Sequence, residues 1–465
     1  MINSVGSNEL KILMPASCTE EQRYVYSVIF SDILGIQYQT EKHDEETIII
    51  TDKISTKKIY VNADFFNTAH SQWLSYDSLP KSSERISLNE NEGLSSMNPD
   101  DIPILFGKPF IKNISSNKIE IGFDLFGTIF FMLSRYEEAV ETARDKHSRF
   151  DSSKLIAVKE GFLHRPIVNE YIELLWQCLI RIFPKLKRKA RIQSQYISCD
   201  VDHIFDSASY SLKRTIFRCA ARIYRDKNLS LSFKDLINYF GKKFNIVSFD
   251  EYHNNIYWMG EITQSLGHKI CFNFIPLETH ALDNVTYQEA TLDCMQYLHS
   301  IGHEIGVHPG YETFKSKELF ELSIHHFKHQ LSKAGVHAGK FGGRQHYLRY
   351  DVMETPRLWS DCELSYDSSL GFSDRCGFRS GICYEYTMYD LMGRKPLKIK
   401  QRPLIAMDCA LFASTSSDVA SVKIAHNYIN TLKEECKKYN GDFCLLWHNS
   451  YFAFPRAKSF FKSIL

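Results

Sequence analysis

The stretch Ser198-Cys199-Asp200-Val201-Asp202-His203 decides how the C-terminal part of this sequence is interpreted. It overlaps the end of an apolar, strand-like run, Gln195–Cys199. Residues i and i+2 of a strand project to the same face, so Asp200 and Asp202 are predicted to lie side by side. Two neighbouring carboxylates repel each other unless a cation or a raised pKa relieves the repulsion. The pattern therefore indicates one metal-binding carboxylate and one base, although an isolated Asp-x-Asp more often caps a turn or helix start.

Short apolar runs alternate with helix-length segments through the rest of the chain, which favours parallel βα units. Most of these runs end at a polar residue that is capable of chemistry. The runs and the residues that follow them are Gln195–Cys199 before Asp200 and Asp202, Lys269–Ile275, His303–Val307 before His308, Lys340–Gly343 before Arg344 and His346, Glu363–Tyr366 before Asp367, and Phe443–Trp447 before His448. In a β/α barrel the carboxyl ends of the strands converge on one face, where active sites form. The sequence therefore predicts an α/β fold with a β/α barrel in its C-terminal part.

The individual residues leave structural alternatives open. His448 leaves an apolar strand and suits a general acid, but a histidine satisfied by hydrogen bonds at the core edge fits equally well. Glu312 is within reach of His308 if a helical turn follows, and is otherwise an exposed loop carboxylate. Paired glycines before Arg344 allow close backbone approach, so this arginine is expected to hold a catalytic carboxylate or an anionic substrate, or else to form an ordinary loop salt bridge.

Taken in order, five segments resemble the motifs of the polysaccharide deacetylase family, also called the NodB-homology domain or carbohydrate esterase family 4. The segments are Ser198–Asp202, Gly302–His308, Arg344–Tyr347, Tyr366–Phe372 and Leu446–His448. The resemblance covers roughly residues 192–455 and implies a distorted (β/α)7-type, NodB-like barrel. It also implies a hydrolase that removes an acyl group, most often N-acetyl, from an amino sugar of a bacterial surface polysaccharide or its precursor. Such a substrate is expected to be a carbohydrate, free or linked to a lipid or nucleotide, and not a nucleic acid.

The resemblance also implies roles for the residues at the strand ends. Asp200 is the expected general base, Arg344 orients it, and His448 is the expected general acid. Asp202 and His308 are expected to bind one divalent metal ion, Zn²⁺ being the first choice. Such a metal polarises the scissile carbonyl and activates water.

One position departs from the family pattern. Glu312 stands where the family has its second metal-binding histidine, and we take it as the expected third ligand, with His346 and His203 as alternatives. A carboxylate can take the place of an imidazole as a zinc ligand. It also suits a harder metal ion, which prefers oxygen ligands. The same departure motivates an alternative function, a binding or scaffold protein that lost its metal. A further alternative is a deformylase-type C–N hydrolase.

Four further residues are predicted to contact the substrate. They are His346, Tyr347, Asp367 and Arg379. Arg379 lies in a segment that extends the fourth motif, and is expected to meet an anionic part of the substrate unless it forms a salt bridge that orders its loop.

The N-terminal part is predicted to be a separate, smaller α/β domain. The stretches Phe130–Glu138 and His147–Phe150 are similar to an uncharacterised domain that precedes such deacetylases in bacteria. The basic run Lys185–Arg191 is interpreted as a solvated boundary. We therefore expect an accessory domain of unknown role at residues 1–190 and the deacetylase-like barrel at residues 191–465.

Composition points to a globular protein of the bacterial cytoplasm. The net charge of the 465-residue chain is +1, which gives no general attraction for nucleic acid or anionic lipid. Twelve cysteines are scattered without framework spacing, and neither a secretory signal nor a membrane-spanning run is evident. Residues 213–227 are basic with interspersed apolar residues, which predicts a helix that covers the barrel or, alternatively, one lying peripherally on the inner membrane.

Overall fold

The computed structural model describes residues 9–52, 56–87, 101–115, 117–206, 211–224, 229–244, 250–285, 288–337, 339–413, 419–452, 454 and 456–465. The strands are β1 (Glu9–Pro15), β2 (Gln37–His43), β3 (Ile48–Asp52), β4 (Lys58–Val61), β5 (Glu84–Ile86), β6 (Ile102–Ile104), β7 (Gly107–Ser115), β8 (Lys118–Phe123), β9 (Ser194–Val201), β10 (Ile270–Phe274), β11 (Glu304–Val307), β12 (Tyr366–Asp367), β13 (Tyr386–Asp390), β14 (Lys395–Gln401), β15 (Ala406–Met407) and β16 (Asp442–Leu446). The helices are α1 (Thr19–Tyr26), α2 (Asp64–Ser71), α3 (Leu125–Leu133), α4 (Tyr136–Val140), α5 (Ile156–Lys159), α6 (Ile167–Ile182), α7 (Leu212–Tyr224), α8 (Leu229–Lys243), α9 (Glu251–Ser265), α10 (Gln288–Ser300), α11 (Lys317–Lys333), α12 (Thr355–Asp361), α13 (Asp408–Leu411), α14 (Val419–Lys438) and α15 (Ala457–Ser463).

The chain divides into two compact units. The first unit comprises Met1–Gln195, Leu348–Ile405 and Thr431–Phe443, and the second comprises Tyr196–Tyr347, Ala406–Asn430 and Cys444–Leu465. The sequence predicted a single boundary after residue 190, whereas the chain here returns to the first unit twice. The returning segment Leu348–Ile405 is held to the first unit by bonds to α1. Arg394 pairs with Glu21 at 2.8 Å, and the Tyr24 hydroxyl donates to the Thr387 carbonyl at 2.7 Å. That the chain forms two independent domains with a boundary at residue 190 remains a prediction.

The first unit is built on a mixed six-stranded sheet in the order β2-β1-β3-β4-β8-β7. Pairs β1–β2 and β4–β8 are parallel, and the other pairs of this sheet are antiparallel. Two stretches rich in β-branched residues form β3 and β4 in its interior. A second, three-stranded sheet of this unit has the order β12-β14-β13.

Helix α3 is the buried centre of the first unit. Every residue of this helix is buried, and Asp124 caps its start by accepting the backbone N–H groups of Gly127 and Phe65 at 2.6 and 3.0 Å. Phe130 on α3 packs edge-to-face against Tyr389 of β13, with ring centroids 5.1 Å apart. This apolar stretch therefore forms a core helix, as expected of a helix that is hydrophobic all round.

The second unit contains the parallel sheet that positions the site. Its five strands have the order β11-β10-β9-β16-β15, and pairs β9–β10, β10–β11 and β15–β16 are parallel. All residues of β10 and β16 are buried, which is typical of parallel strands covered on both faces. Four of the apolar runs predicted from the sequence form β9, β10, β11 and β16 of this sheet. The run Lys340–Gly343 instead contributes one isolated bridge, between Gly343 and Val307. The mixed α/β class is thus confirmed, and closure into a barrel stays a prediction.

Two general expectations concern thiols and membranes. All twelve cysteines lie in the described residues, and none of them is in a disulfide. Among the described helices, none combines the length and the apolar character needed to cross a bilayer.

Candidate active site

The carboxyl ends of the parallel strands bring the polar residues of the second unit together. Asp200 is the second-last residue of β9, and Asp202 directly follows that strand. His308 follows β11, and His448 lies two residues beyond β16. Parallel strands end at the same edge of a sheet, so residues far apart in sequence meet there.

Three side chains form a group that could hold a metal ion. They are Asp202, His308 and His346, whose ligand atoms all lie within 4.8 Å of one another. The Nε2 atoms of His308 and His346 lie 3.3 and 3.5 Å from Oδ1 of Asp202. That oxygen is buried and accepts no hydrogen bond of normal geometry from the residues that the structure describes, a deficit that a cation would relieve. Two imidazoles and a carboxylate are the donors of catalytic zinc sites and also of non-haem iron(II) sites, so these residues fit a divalent metal.

Outer contacts orient both imidazoles of this group. The Nδ1–H of His308 donates to the backbone carbonyl of Arg344 at 2.5 Å, and Nδ1 of His346 lies 2.6 Å from Oδ1 of Asp283. These bonds direct each Nε2 towards Asp202, the arrangement that metal-binding histidines need. Burial opposes ionisation of Asp283, but hydrogen bonds from His346 and Thr279 outweigh it and lower its pKa to about 2. Asp283 is therefore an ionised acceptor for His346.

Asp200 is held as a buried carboxylate beside the metal group. Its Oδ1 accepts hydrogen bonds from Arg344 Nη1 at 2.9 Å and from Asn273 Nδ2 at 2.7 Å. Its Oδ2 lies 3.7 Å from Nε2 of His308. Burial opposes ionisation, but the charges of Arg344, His308 and His448, with the Asn273 bond, hold the pKa of Asp200 below its ordinary value. This carboxylate is thus poised to accept a proton.

Paired glycines bring Arg344 to Asp200. A Cβ atom on Gly343 would lie 1.9 Å from the carbonyl oxygen of Val307, so only glycine fits against the end of β11. The backbone N–H of Arg344 then donates to that carbonyl at 3.0 Å, and its side chain reaches Ser198 Oγ, also at 3.0 Å, as well as Asp200. The close approach expected from the sequence therefore occurs, and the arginine pairs with a carboxylate of the site.

His448 faces the site from beyond the end of β16 and is anchored by Asp408. Its Nδ1 lies 2.9 Å from Asp408 Oδ1, and its backbone N–H donates to Asp408 Oδ2 at 2.5 Å. Its Nε2 lies 3.8 Å from Oδ2 of Asp202. Burial lowers the pKa of His448, but the charge and hydrogen bond of Asp408, then Asp202 and Asp200, raise it to about 10. His448 therefore carries a proton on Nε2 directed at the site.

The third ligand position is where sequence and structure differ. Glu312 was the expected ligand, yet it is outside the metal-binding group found among the described residues. It is half-buried, and its backbone N–H donates to Thr279 Oγ1 at 3.1 Å. His346, expected at the substrate, takes the place in that group, while His203 bonds to Asn284 at 2.8 Å. The reason is that the segment after Gly343 turns His346 towards Asp202.

The remaining predicted substrate contacts divide between the units. Tyr347 lies next to the metal group, with its ring centroid 4.8 Å from that of His346, and its role stays a prediction. Asp367 belongs to the first unit, where Oδ1 accepts the backbone N–H of Ser369 at 3.0 Å.

Arg379 also belongs to the first unit, and its guanidinium is engaged by a buried carboxylate. Nε and Nη2 of Arg379 donate to the two carboxylate oxygens of Glu138 at 2.8 and 2.6 Å. Both residues are about 97% buried or more. Arg379 therefore forms the salt bridge that the sequence analysis gave as its alternative, and a contact with the substrate stays a prediction.

Three residues of the site were missed by the sequence reasoning. Asp408 follows the apolar run that ends in β15, so the rule that found the other strand-end residues would have found it. Asn273 lies within β10, one residue before its end. Asp283 lies in a loop with no periodic pattern, and its contact with His346 spans 63 residues of sequence.

Comparisons with known proteins give a family for part of the chain. The model of a family of unknown function, DUF7033, matches residues 10–184, which belong to the first unit. No curated protein matches the chain. A crystal structure from Mycobacterium smegmatis, provisionally named a polysaccharide deacetylase, is similar at 14% identity and a TM-score of 0.35, covering 59% of this chain and 83% of the other. A likeness at that score carries no argument about the function of this chain.

Proposed function

We propose that this chain is a metal-dependent hydrolase that removes an acyl group, N-acetyl in the first instance, from an amino sugar of a bacterial surface polysaccharide or its precursor. We further propose that residues 191–465 form a NodB-like β/α barrel and that residues 1–190 are its accessory domain.

One observation carries the proposal. A metal-binding group, a buried carboxylate and a protonated imidazole meet in one site: Asp202, His308 and His346 beside Asp200 and His448. Hydrolysis of an unactivated amide needs these three functions together, namely electrophilic activation of the carbonyl, a base for water and an acid for the leaving amine.

The metal-binding residues supply the electrophilic function. A divalent ion held by Asp202, His308 and His346, Zn²⁺ by preference, supplies Lewis-acid polarisation of the acyl carbonyl and lowers the pKa of water. The chain's own contribution is to keep each Nε2 lone pair directed inward, because Nδ1 of His308 and of His346 is engaged by a carbonyl and by Asp283.

Asp200 is the proposed base. Arg344 and Asn273 both bond its Oδ1, which fixes the carboxylate and leaves Oδ2 to take a proton from the attacking water. The same donors keep its pKa low, so the base is ionised at neutral pH. Its burial excludes bulk water, which would otherwise screen the interaction.

His448 is the proposed acid. An amide nitrogen leaves only when it is protonated, and the Nε2–H of His448, 3.8 Å from Oδ2 of Asp202, is the donor available at the site. Asp408 accepts from Nδ1 and from the backbone N–H of His448, which sets the orientation of the ring and the position of the proton. The acid and the base thus have separate supports, a carboxylate for the histidine and a guanidinium for the aspartate.

The observation that favoured a metal-free scaffold protein no longer supports that alternative. It rested on Glu312 in place of a second ligand histidine, and His346 stands in the group that Glu312 was expected to complete. A buried Asp202 oxygen that accepts no hydrogen bond of normal geometry from the described residues is also costly in a protein that binds no cation.

The test is release of the acyl group by the full chain. Protein loaded with Zn²⁺ or Co²⁺ is incubated with N-acetylglucosamine oligomers and, in parallel, with N-formyl amino sugars, and acetate and formate are measured. We expect metal-dependent acetate release that Asp200→Asn abolishes. Formate without acetate would reassign the acyl group. Failure to bind metal, or metal-loaded protein that hydrolyses neither class, would refute the hydrolase proposal.

A further inference from the structure

Helices α7 and α8, which we call the α7–α8 hairpin, expose an unusual amount of apolar side chain. Of the 17 large hydrophobic residues that are exposed among the described positions, nine belong to this hairpin and the residue after it. The nine are Leu212, Ile216, Phe217, Ile223, Tyr224, Leu229, Phe233, Phe240 and Phe244. Every exposed phenylalanine of the described chain is in this set. Contiguous apolar surface of this kind marks an interaction site.

The spacing of these residues makes one continuous stripe on α8. Leu229, Phe233, Phe240 and Phe244 recur at intervals of four, seven and four residues, which places them on one face of a helix. On α7, Leu212, Ile216 and Ile223 follow the same rule. The face is therefore a helical stripe and not scattered exposure.

The side of the hairpin that is buried is polar. Asp235 of α8 is 3% exposed and pairs with Arg218 at 3.1 Å and with Arg222 at 2.9 Å, both on α7. The Ser232 hydroxyl donates to the Cys219 carbonyl at 3.1 Å between the same helices. A surface helix of a globular protein normally turns its apolar stripe inward. This hairpin is held together by its polar side and turns its apolar stripe outward.

The charges around the apolar face are positive. Lys213, Arg214 and Lys243 are exposed, whereas Asp235 is the one acidic residue within α7 and α8 and is buried. Beside α8, a cavity of about 510 Å³ is lined by Lys234, Arg456 and Lys458, with Glu251 as its one acid. The surroundings of the apolar face are thus complementary to an anionic partner.

We propose that the α7–α8 hairpin docks on the surface of an anionic lipid bilayer. The apolar stripe lies at the boundary between headgroups and acyl chains, and Lys213, Arg214 and Lys243 meet the phosphates. Interfacial helices have this composition, with Phe and Leu on one face and Lys and Arg on the other. Basic residues near an anionic leaflet add about 1 kcal/mol each, or about fivefold in binding.

A second copy of the chain fits this face less well. A symmetric dimer places the same surface of each copy against itself. Lys213 and Arg214 of both copies would then enter the same interface, with no exposed acid on either helix to pair with them. An anionic bilayer supplies both the apolar medium and the opposite charge.

Docking would hold the candidate active site close to the bilayer. Asp206 lies four residues after Asp202 and pairs with Arg218 of α7 at 2.6 Å. The backbone N–H of Asp206 also donates to Asp250, the N-cap of α9, at 3.0 Å. The hairpin is thus attached to the segment that carries a metal ligand, through bonds within the second unit.

The test is co-sedimentation of the full chain with vesicles of phosphatidylcholine alone or mixed with phosphatidylglycerol. One variant combines Phe233→Ser, Phe240→Ser and Phe244→Ser, whose side chains are 49–70% exposed, so that folding is not at stake. A second combines Lys213→Glu and Arg214→Glu. The matched control combines Tyr76→Ser, Leu322→Ser and Met392→Ser, which are equally exposed but outside the hairpin.

We expect the parent and the control to pellet with the anionic vesicles, and added salt to weaken that binding. The Lys213→Glu, Arg214→Glu variant should lose about tenfold or more in partitioning, since each basic side chain contributes about fivefold. The triple Phe variant should also lose about tenfold or more, because it removes the apolar side chains that enter the bilayer. No pelleting with anionic lipid, or equal losses in control and hairpin variants, would overturn the proposal. So would a dimer of the free protein that the triple Phe substitution dissociates, because the face would then join two copies.

Discussion

Oδ1 of Asp283 lies 2.6 Å from Nδ1 of His346 and fixes the orientation of a ring that the sequence alone did not place in the metal group. The carboxylate is itself held by Thr279 Oγ1 at 2.7 Å and by the backbone N–H of Tyr311 at 2.9 Å. Asp283 therefore acts through His346: it sets which nitrogen carries the proton and how strongly the other binds a cation.

Asp283→Asn is expected to weaken metal binding about 10- to 100-fold, the usual effect of removing such a partner. The reason is that an amide accepts more weakly than a carboxylate and lets the His346 ring rotate. Affinity is measured by competition of Zn²⁺ or Co²⁺ against a chromogenic chelator.

Glu312→Gln is the matched control for that measurement, because Glu312 was the expected ligand but is outside the group. We expect its affinity for the metal to equal that of the parent. A large loss in Glu312→Gln with no loss in Asp283→Asn would return Glu312 to the ligand set.

Asp200 and Asp202 are predicted to separate activity from metal binding. Asp200→Asn should keep the metal, because the side chain bonds to Arg344 and Asn273 and is not in the metal group, yet lose about 10²- to 10⁴-fold in turnover. Asp202→Asn should lose both, because it removes the charged member of the group. Metal content and acetate release are measured on the same samples. Loss of metal in Asp200→Asn to the same degree would contradict the division of roles.

His448→Ala is predicted to slow amide hydrolysis far more than hydrolysis of an activated ester. The leaving amine needs the Nε2 proton, whereas a nitrophenolate leaves without one. Turnover of an N-acetyl amino sugar and of p-nitrophenyl acetate is compared in parent and variant, with about a 10²-fold loss or more expected only for the amide. Equal losses on both substrates would indicate that His448 serves the fold and not proton transfer.

Asp408→Asn tests the support of that histidine. We expect a lower kcat with an unchanged KM, because Asp408 contacts His448 and not the substrate. A raised KM with unchanged kcat would contradict a positioning role.

How much of the site could be read from the sequence depends on where each residue lies. Asp200, His308 and His448 end apolar runs, and the meeting of parallel strand ends at one edge is a general property, so their convergence could be predicted. His346 could not be placed the same way, because it follows an isolated bridge at Gly343, and Tyr347 next to it has a left-handed backbone with φ of 60°. The direction of a side chain in such a turn does not repeat with any regular spacing, so it could not be predicted from the sequence.

The partner of Arg379 could not be predicted from the sequence for a different reason. A guanidinium in a polar segment looks available for a ligand when its neighbours in sequence are all that is known. Its partner Glu138 lies 241 residues away, in a helix assigned by sequence to another domain. Pairings over such separations depend on how the first unit folds, and no local pattern encodes them. The mixed α/β class followed from local runs, whereas the two returns of the chain to the first unit depend on contacts distant in sequence and did not.

The buried pair of Glu138 and Arg379 predicts a pH-dependent stability difference. Burial alone would raise the pKa of Glu138, but Arg379 and Arg135 lower it to about 2, from the ordinary 4.5. Because the unfolded chain binds the proton more tightly, this contribution is fully present above about pH 4.5 and is lost as the pH falls through about 2. Glu138→Gln should therefore cost about 3–5 kcal/mol at pH 7, the usual effect of removing one member of a buried pair, and progressively less below pH 4.5.

The free energy of unfolding in urea is compared between parent and variant at pH 7 and pH 3, so that other titrating groups cancel. Glu20→Gln, which removes the exposed partner of Arg23, is the control and should change stability by less than about 1 kcal/mol at either pH. A Glu138→Gln protein as stable as the parent at pH 7, or a difference that grows towards pH 3, would mean that the carboxylate is not ionised in the folded first unit.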